Sequence, residues 1–186
     1  MNEFEHYKTP IEGLLVVERR AKSDKRGFLQ RLFCQEAFGA FLGGKSVRQI
    51  NHTLTRKSGT IRGLHFQYPP RAEKKIITCL KGKIWDVAVD LRQGSSTYLK
   101  YYAVTLSGDA RLSFLIPEGF AHGFQALTHN CELIYLHTED YSSDHEGKLN
   151  ALDPQLSIDW PLIVSERSDR DICSALLSDA FEGLQV

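Results

Sequence analysis

An excess of charge of either sign is missing from this chain, whose 23 Lys and Arg residues are matched by 23 Asp and Glu. With no net field to gather a polyanion or an anionic membrane surface, nucleic-acid binding is not expected, and an anionic ligand would have to be met by individually placed cations. Cysteine is scarce and scattered. Cys34, Cys79, Cys131 and Cys173 include no C-x-x-C pair, so neither a zinc knuckle nor a disulfide framework is indicated, and they read as reduced core residues of a cytoplasmic protein. An apolar run of bilayer-spanning length, about 20 residues, is absent, and residues 1–8 lack the apolar core of a signal peptide. Neither membrane insertion nor secretion is expected.

What is present is a chain of 186 residues, 42% hydrophobic and 25% charged, which suits a single domain spanning residues 1–186 with a sizeable core. Strand patterns dominate it. Residues 74–80 and 83–91 are rich in β-branched and aromatic side chains, and Lys81-Gly82 between them supplies a turn, so the two read as a hairpin. In the second, Trp85, Val87, Val89 and Leu91 alternate with Ile84, Asp86, Ala88 and Asp90, the pattern of a sheet with one drier side. Residues 101–106, 111–116 and 131–137 repeat the theme, with Ser107-Gly108-Asp109 and His129-Asn130 as turns. Short strands at regular spacing predict an antiparallel all-β sandwich or barrel. Helices are expected only at residues 35–41 and 172–181, and Asp153-Pro154 and Trp160-Pro161 mark a loop-rich C-terminal region.

Two segments carry chemistry. Ile61-Arg62-Gly63-Leu64-His65-Phe66-Gln67 and Ile116-Pro117-Glu118-Gly119-Phe120-Ala121-His122-Gly123-Phe124 each set one histidine in a glycine-bounded, mostly apolar stretch. Half-burial and neighbouring charge there tune an imidazole for proton transfer near neutral pH, although a lone histidine in such a place is more often a core residue with one satisfied hydrogen bond. Here Arg62 and Gln67 flank the first, and Lys75 follows. Convergent polar groups on an apolar wall predict a ligand cavity.

The run Pro117-Glu118-Gly119-Phe120-Ala121-His122 also resembles the second sequence motif of the cupins, small jelly rolls that often hold a metal. A metal cupin contributes H-x-H plus a carboxylate, because a divalent ion needs three or four donors converging on one point. In His65-Phe66-Gln67 the second histidine is missing. A cupin-like jelly roll without a metal, working its histidines as acid and base and needing no cofactor, is the expectation.

Five segments in order, Asp24-Lys25-Arg26-Gly27-Phe28, Gln49-Ile50-Asn51-His52, Arg62 to Gln67, Asp86-Val87-Ala88-Val89-Asp90-Leu91-Arg92 and Pro117 to Phe124, resemble the dTDP-4-dehydrorhamnose 3,5-epimerase family over nearly the whole chain. The resemblance implies a metal-free jelly-roll homodimer with shared active sites, which inverts carbons beside the C4 ketone of a nucleotide-linked 4-keto-6-deoxyhexose. Such chemistry needs a base, a cation against the developing enolate oxygen and an acid on the opposite ring face. By resemblance His65 is the base, Asp171 in Ser168-Asp169-Arg170-Asp171 orients it, Lys75 faces the C4 oxygen, and Tyr135 is the acid. Asp169 competes with Asp171 if the register slips. Arg26 and Arg62 are implied for the pyrophosphate, His122 for the sugar pocket, Gln49 and Asn51 for the nucleotide, and Tyr141 for stacking on the base; Glu146 and Arg170 match further contact positions. Arg26 is implied to reach the partner's pocket.

The chain also departs from the family. Arg31 stands where many members carry a glutamate, Leu136 replaces the usual lysine after the tyrosine, and residues 164–167 are extra. None of these removes a reacting group. A C3-only epimerase or ketoisomerase, a metal-dependent oxygenase and an inactive sugar-nucleotide-binding module remain as alternatives at this level.

Overall fold

The structure, a computed structural model, describes residues 3–178 and 180–186. Among them the strands are β1 (Phe4–Lys8), β2 (Leu15–Arg19), β3 (Ala21–Asp24), β4 (Gly27–Gln30), β5 (Gln49–Thr55), β6 (Ile61–Gln67), β7 (Lys75–Lys81), β8 (Lys83–Asp90), β9 (Tyr101–Ser107), β10 (Leu112–Ile116), β11 (Phe120–Ala126), β12 (Cys131–His137) and β13 (Glu146–Lys148). Two short α-helices, α1 (Gln35–Leu42) and α2 (Asp169–Ile172), and a 3-10 turn at Ser143–His145 complete the set. Six strands form one sheet in the order β1-β2-β10-β7-β12-β5, and five form another in the order β13-β6-β11-β8-β9. Every strand pairing is antiparallel, and β3 and β4 make a separate hairpin. The all-β jelly-roll sandwich is as the sequence implies.

The interior lies between the sheets, where Ile77, Cys79, Phe114 and Leu133 of the first meet Ile84, Ala88, Leu106 and Phe124 of the second. Phe114 and Phe124 are 0% and 1% exposed, and truncating a phenylalanine so buried costs about 3–5 kcal/mol. Both outer faces are also covered. Phe38 and Leu42 of α1 pack on Leu15, Val17, Ile76 and Leu115, while Leu149, Leu156, Leu177 and Leu184 of the C-terminal region pack on Val87, Val89 and Ala121.

That double cover corrects two expectations. The strand with one drier side, β8, is buried on both faces, because the C-terminal loops supply the second layer. Nor do β7 and β8 form a hairpin. β7 pairs with β10 and β12, whereas β8 pairs with β9 and β11 in the other sheet. Each is an interior strand with two other neighbours, and Lys81-Gly82 is a corner between sheets. Gly82 has φ +78°, and a Cβ there would lie 2.8 Å from Thr128 Oγ1 and 2.9 Å from Cys131 Sγ. Turn chemistry marks a reversal of the chain but not which sheet receives it.

The helix predicted at 35–41 is α1, but the one predicted at 172–181 is not formed. The helical turn lies earlier, at Asp169–Ile172, and residues 173–178 are irregular; Asp179 lies outside the described residues. This segment gives its backbone groups to other partners: Ala175 C=O accepts from Asn150 N–H, and Leu177 N–H donates to the Asp153 carboxylate. Tertiary partners outbid helix propensity there. Of the cysteines, Cys79 and Cys131 are buried, but Cys34 is half-buried and Cys173 exposed, so only two are core residues.

Candidate active site

At one end of the sandwich the sheets part around a cavity of about 710 Å³, within the range of small-molecule sites. β5, β7 and β12 supply Asn51, Lys75 and Tyr135 to one wall; β6 and β11 supply Arg62, His65 and His122 to the other. His65 and His122 are opposite one another in the β6–β11 register. That approach depends on Gly63, where a Cβ would sit 2.6 Å from Gly123 Cα and 2.8 Å from the His122 carbonyl oxygen.

Each imidazole has its own carboxylate. His65 Nε2 is 2.7 Å from Asp171 Oδ1, and His122 Nε2 is 2.7 Å from Asp86 Oδ1. Asp171 is held in place by its neighbours: the Ser168 hydroxyl caps its N–H at 3.1 Å, and Arg167 donates to its carbonyl at 2.6 Å. Burial alone would push the Asp171 carboxyl up, but His65, Ser168 and the Gly63 N–H together hold it below the usual carboxylate range. An ionised carboxylate only accepts, so His65 Nε2 carries a proton and Nδ1 is left as the basic atom. The second pair is deeper. Burial raises Asp86 and lowers His122, and both shifts favour neutral side chains.

Tyr135 faces these histidines from the other sheet, its ring edge-on to His122 with centroids 6.0 Å apart. Burial, with Asp86 nearby, pushes its phenol up, so the hydroxyl stays protonated and available as a donor. Lys75 is buried, where a lysine opening a strand would ordinarily be solvated; its ammonium donates to the His65 carbonyl at 3.1 Å and lies 3.2 Å from Glu73 Oε1. Imidazole and phenol on opposite walls, with an ammonium on the phenol's wall, can move a proton off one face of a ring and back onto the other.

The outer part of the cavity is polar. Arg62 donates to Thr55 Oγ1 at 3.1 Å, Arg170 pairs with Glu146, and the Tyr141 hydroxyl donates to Glu146 Oε2 at 3.3 Å. Gln67 ties down the neighbouring loop, accepting from Ser142 N–H and donating to the Arg71 and Asp140 carbonyls.

Ten of the twelve residues singled out from the sequence line this cavity; Gln49 and Arg26 do not. Gln49 stands behind it and accepts from the Tyr141 N–H at 3.1 Å. Arg26 caps the β3–β4 hairpin, exposed and paired with Asp24 at 2.6 Å. Asp169 opens α2, and it is Asp171 that makes the contact with His65. Sequence reading missed Asp86, Glu73, His137 and Arg167. A carboxylate on the interior face of β8 was the one available signal for Asp86; Glu73-Lys74-Lys75 looks like a solvated charge run.

Among known families, the model described as dTDP-4-dehydrorhamnose 3,5-epimerase matches residues 8–179. The chain belongs to that family. It is 38% identical over 174 residues to the dTDP-4-dehydrorhamnose 3,5-epimerase of Shigella flexneri, covering 93% of this chain and 96% of that one. Among solved epimerase structures, dTDP-6-deoxy-D-glucose-3,5-epimerase RmlC from Legionella pneumophila, in complex with dTDP-4-keto-L-rhamnose, superposes with a TM-score of 0.91 at 35% identity over 98% of both chains. ChmJ from Streptomyces bikiniensis, a 3'-monoepimerase in complex with dTDP-quinovose, superposes with a TM-score of 0.84 at 32% identity, over 90% of this chain and 85% of that one.

Proposed function

We propose that this chain inverts C3 and C5 of a dTDP-linked 4-keto-6-deoxyhexose, in cytoplasmic biosynthesis of a rhamnose-type deoxysugar such as those of O-antigens. The observation that carries the reading is the His65–Asp171 pair on one wall of a cavity whose other wall carries Tyr135 and Lys75. His65 Nδ1 takes the proton from the carbon beside the ketone, while Asp171 holds the ring and stabilises the imidazolium. The electron pair moves into the carbonyl, and the Lys75 ammonium meets the charge that develops on oxygen. Tyr135 returns a proton from the opposite face, and solvent restores both groups. Electrons balance without an oxidant, so the reaction calls for no cofactor.

Arg62, Arg170 and Arg26 meet the diphosphate, Asn51 and Gln49 the nucleotide, Tyr141 the base, and Glu146 and His122 the ligand's hydroxyls. Arg26 does so in trans. In the proposed homodimer the β3–β4 hairpin, with Phe28 and Leu29 exposed at 69% and 74%, crosses to the partner and completes its site.

NMR of the product formed from dTDP-4-keto-6-deoxyglucose tests the reading. The L-configured 4-keto-rhamnose product is expected from the wild type and not from His65→Asn. The similarity to ChmJ supports a second reading, inversion at C3 only, and the same spectrum separates the two.

A further inference from the structure

Glu73, Lys75 and His137 all line the cavity and form a cluster in which the chemistry above gives a task to Lys75 alone. Glu73 and Lys75 side chains are each 8% exposed, and that of His137 is 11% exposed. Both Glu73 oxygens are engaged: Oε1 lies 3.2 Å from Lys75 Nζ, and Oε2 lies 2.9 Å from His137 Nδ1. Lys75 and His137 are themselves opposite each other in the β7–β12 register. Burial alone would raise the Glu73 carboxyl, but Lys75 and His137 hold it below the usual carboxylate range. An ionised carboxylate fixes the ring's Nδ1 as the donor, so a neutral His137 presents Nε2 as an acceptor, and the Asn51 amide nitrogen lies 3.5 Å from it.

An ammonium has three donors. Lys75 donates one to the His65 carbonyl at 3.1 Å, and the Glu73 carboxylate holds the ammonium as an ion pair at 3.2 Å. Two anchors on a buried ammonium restrict where it sits and leave donor capacity for a ligand oxygen in the cavity that Lys75 lines. A lysine without such tethers would sample several rotamers and meet the enolate oxygen in only some of them.

We propose that Glu73 and His137 are positioning residues for the enolisation step: Glu73 aims the Lys75 ammonium, and His137 clamps Glu73 while tying it to Asn51 on β5. The inference rests on the reading of Lys75 as the cation beside the C4 oxygen. It predicts an effect on kcat through Lys75, with little on KM, since neither residue holds the nucleotide.

The test is a double-mutant cycle measured by turnover of dTDP-4-keto-6-deoxyglucose, with melting curves to confirm folding. Glu73→Gln keeps the shape of the side chain and should lower kcat by about 10-fold to 100-fold while KM stays within about 3-fold. His137→Ala should lower kcat in the same direction, and His137→Asn, whose amide still reaches toward Glu73, should recover most of the loss. In a Lys75→Met background, adding Glu73→Gln should change the residual rate by less than about 2-fold, because the group it aims is gone. Full additivity of the two losses, or a loss confined to KM, would overturn the inference and leave the epimerase reading standing. A wild type that turns over no 4-keto sugar nucleotide would remove that reading, and this inference with it.

Discussion

His65 and Asp171 lie 106 residues apart in the chain, yet the imidazole Nε2 and the carboxylate Oδ1 are 2.7 Å apart. The carboxylate reaches its partner through one helical turn capped by Ser168 and braced by Arg167, so a short irregular segment places it as firmly as a strand would. Asp171→Asn keeps the shape but can donate to Nε2, which leaves the wrong tautomer facing the substrate. A kcat loss of about 10² to 10⁴ is expected, with near-unchanged melting temperature. Steady-state kinetics beside a melting curve check this; near wild-type kcat would reduce Asp171 to a structural residue.

Tyr135→Phe separates the two halves of the reaction. Proton abstraction by His65 does not need the phenol, whereas return of a proton from the opposite wall does. Deuterium exchange from solvent should therefore persist better than inversion. Equal loss of both in a stable protein would assign Tyr135 to packing against His122 and His137.

Gly63→Ala should disable the site from the backbone. The added methyl would meet Gly123 Cα and the His122 carbonyl at under 3 Å, so β6 and β11 must separate and carry His65 away from its setting. Because Gly63 also has φ +126°, a loss of about 1–3 kcal/mol of stability is expected together with activity. Denaturant titration gives the first quantity and turnover the second.

The fold has its own pH-sensitive element away from the cavity. Asp90 accepts from Arg92 Nε at 2.9 Å, Arg92 Nη2 at 2.7 Å, and Ser95 and Thr97 hydroxyls at 2.6 Å each. Burial alone would raise this carboxyl, but these donors together with the Arg92 backbone N–H at 3.0 Å bring it down to about 2 from 3.8. A depressed folded value contributes stability above the unfolded pKa and loses it as pH falls from about 3.8 toward 2, a contribution of about 2 kcal/mol at neutral pH. Asp90→Asn should thus be less stable than wild type at pH 7, and the difference should shrink as the pH is lowered through that window. A gap of constant size in urea titrations across it would contradict the assignment.

Much of this was legible in the sequence, for reasons that also explain what was not. Period-two patterns located β7, β8, β9, β10 and β12 to within a residue or two, and residues 131–137 match β12 because cross-strand burial imposes that period. Alternation does not encode a strand's partner, and so the Lys81-Gly82 corner looked like a hairpin. His65, Lys75, Tyr135 and Asp171 were singled out through the family resemblance, and all four line the cavity. Glu73 and His137 were not, since their roles depend on burial and on partners from other strands, which no local pattern records. The false helix at 172–181 has the same origin: Asp153 and Asn150 claim its backbone groups from a distance.

Mixing two defective chains tests the shared site. If Arg26 acts in the partner's pocket, an Arg26→Ala chain combined with a His65→Asn chain places both defects in one site of the heterodimer and leaves the other intact. Up to about a quarter of wild-type activity should return after re-equilibration, since half the dimers are mixed and half their sites are whole. Sedimentation as a monomer, or no recovery with proven heterodimers, would contradict a shared site.

The central claim is that His65 removes a proton from carbon beside the C4 ketone, and exchange with heavy water reads that step directly. Incubated with dTDP-4-keto-6-deoxyglucose in heavy water, the wild type should introduce deuterium at C3 and C5 of the sugar, and His65→Asn should introduce none at either within the same time. Deuterium at neither carbon with the wild type, or exchange at wild-type rate in His65→Asn, would contradict the account.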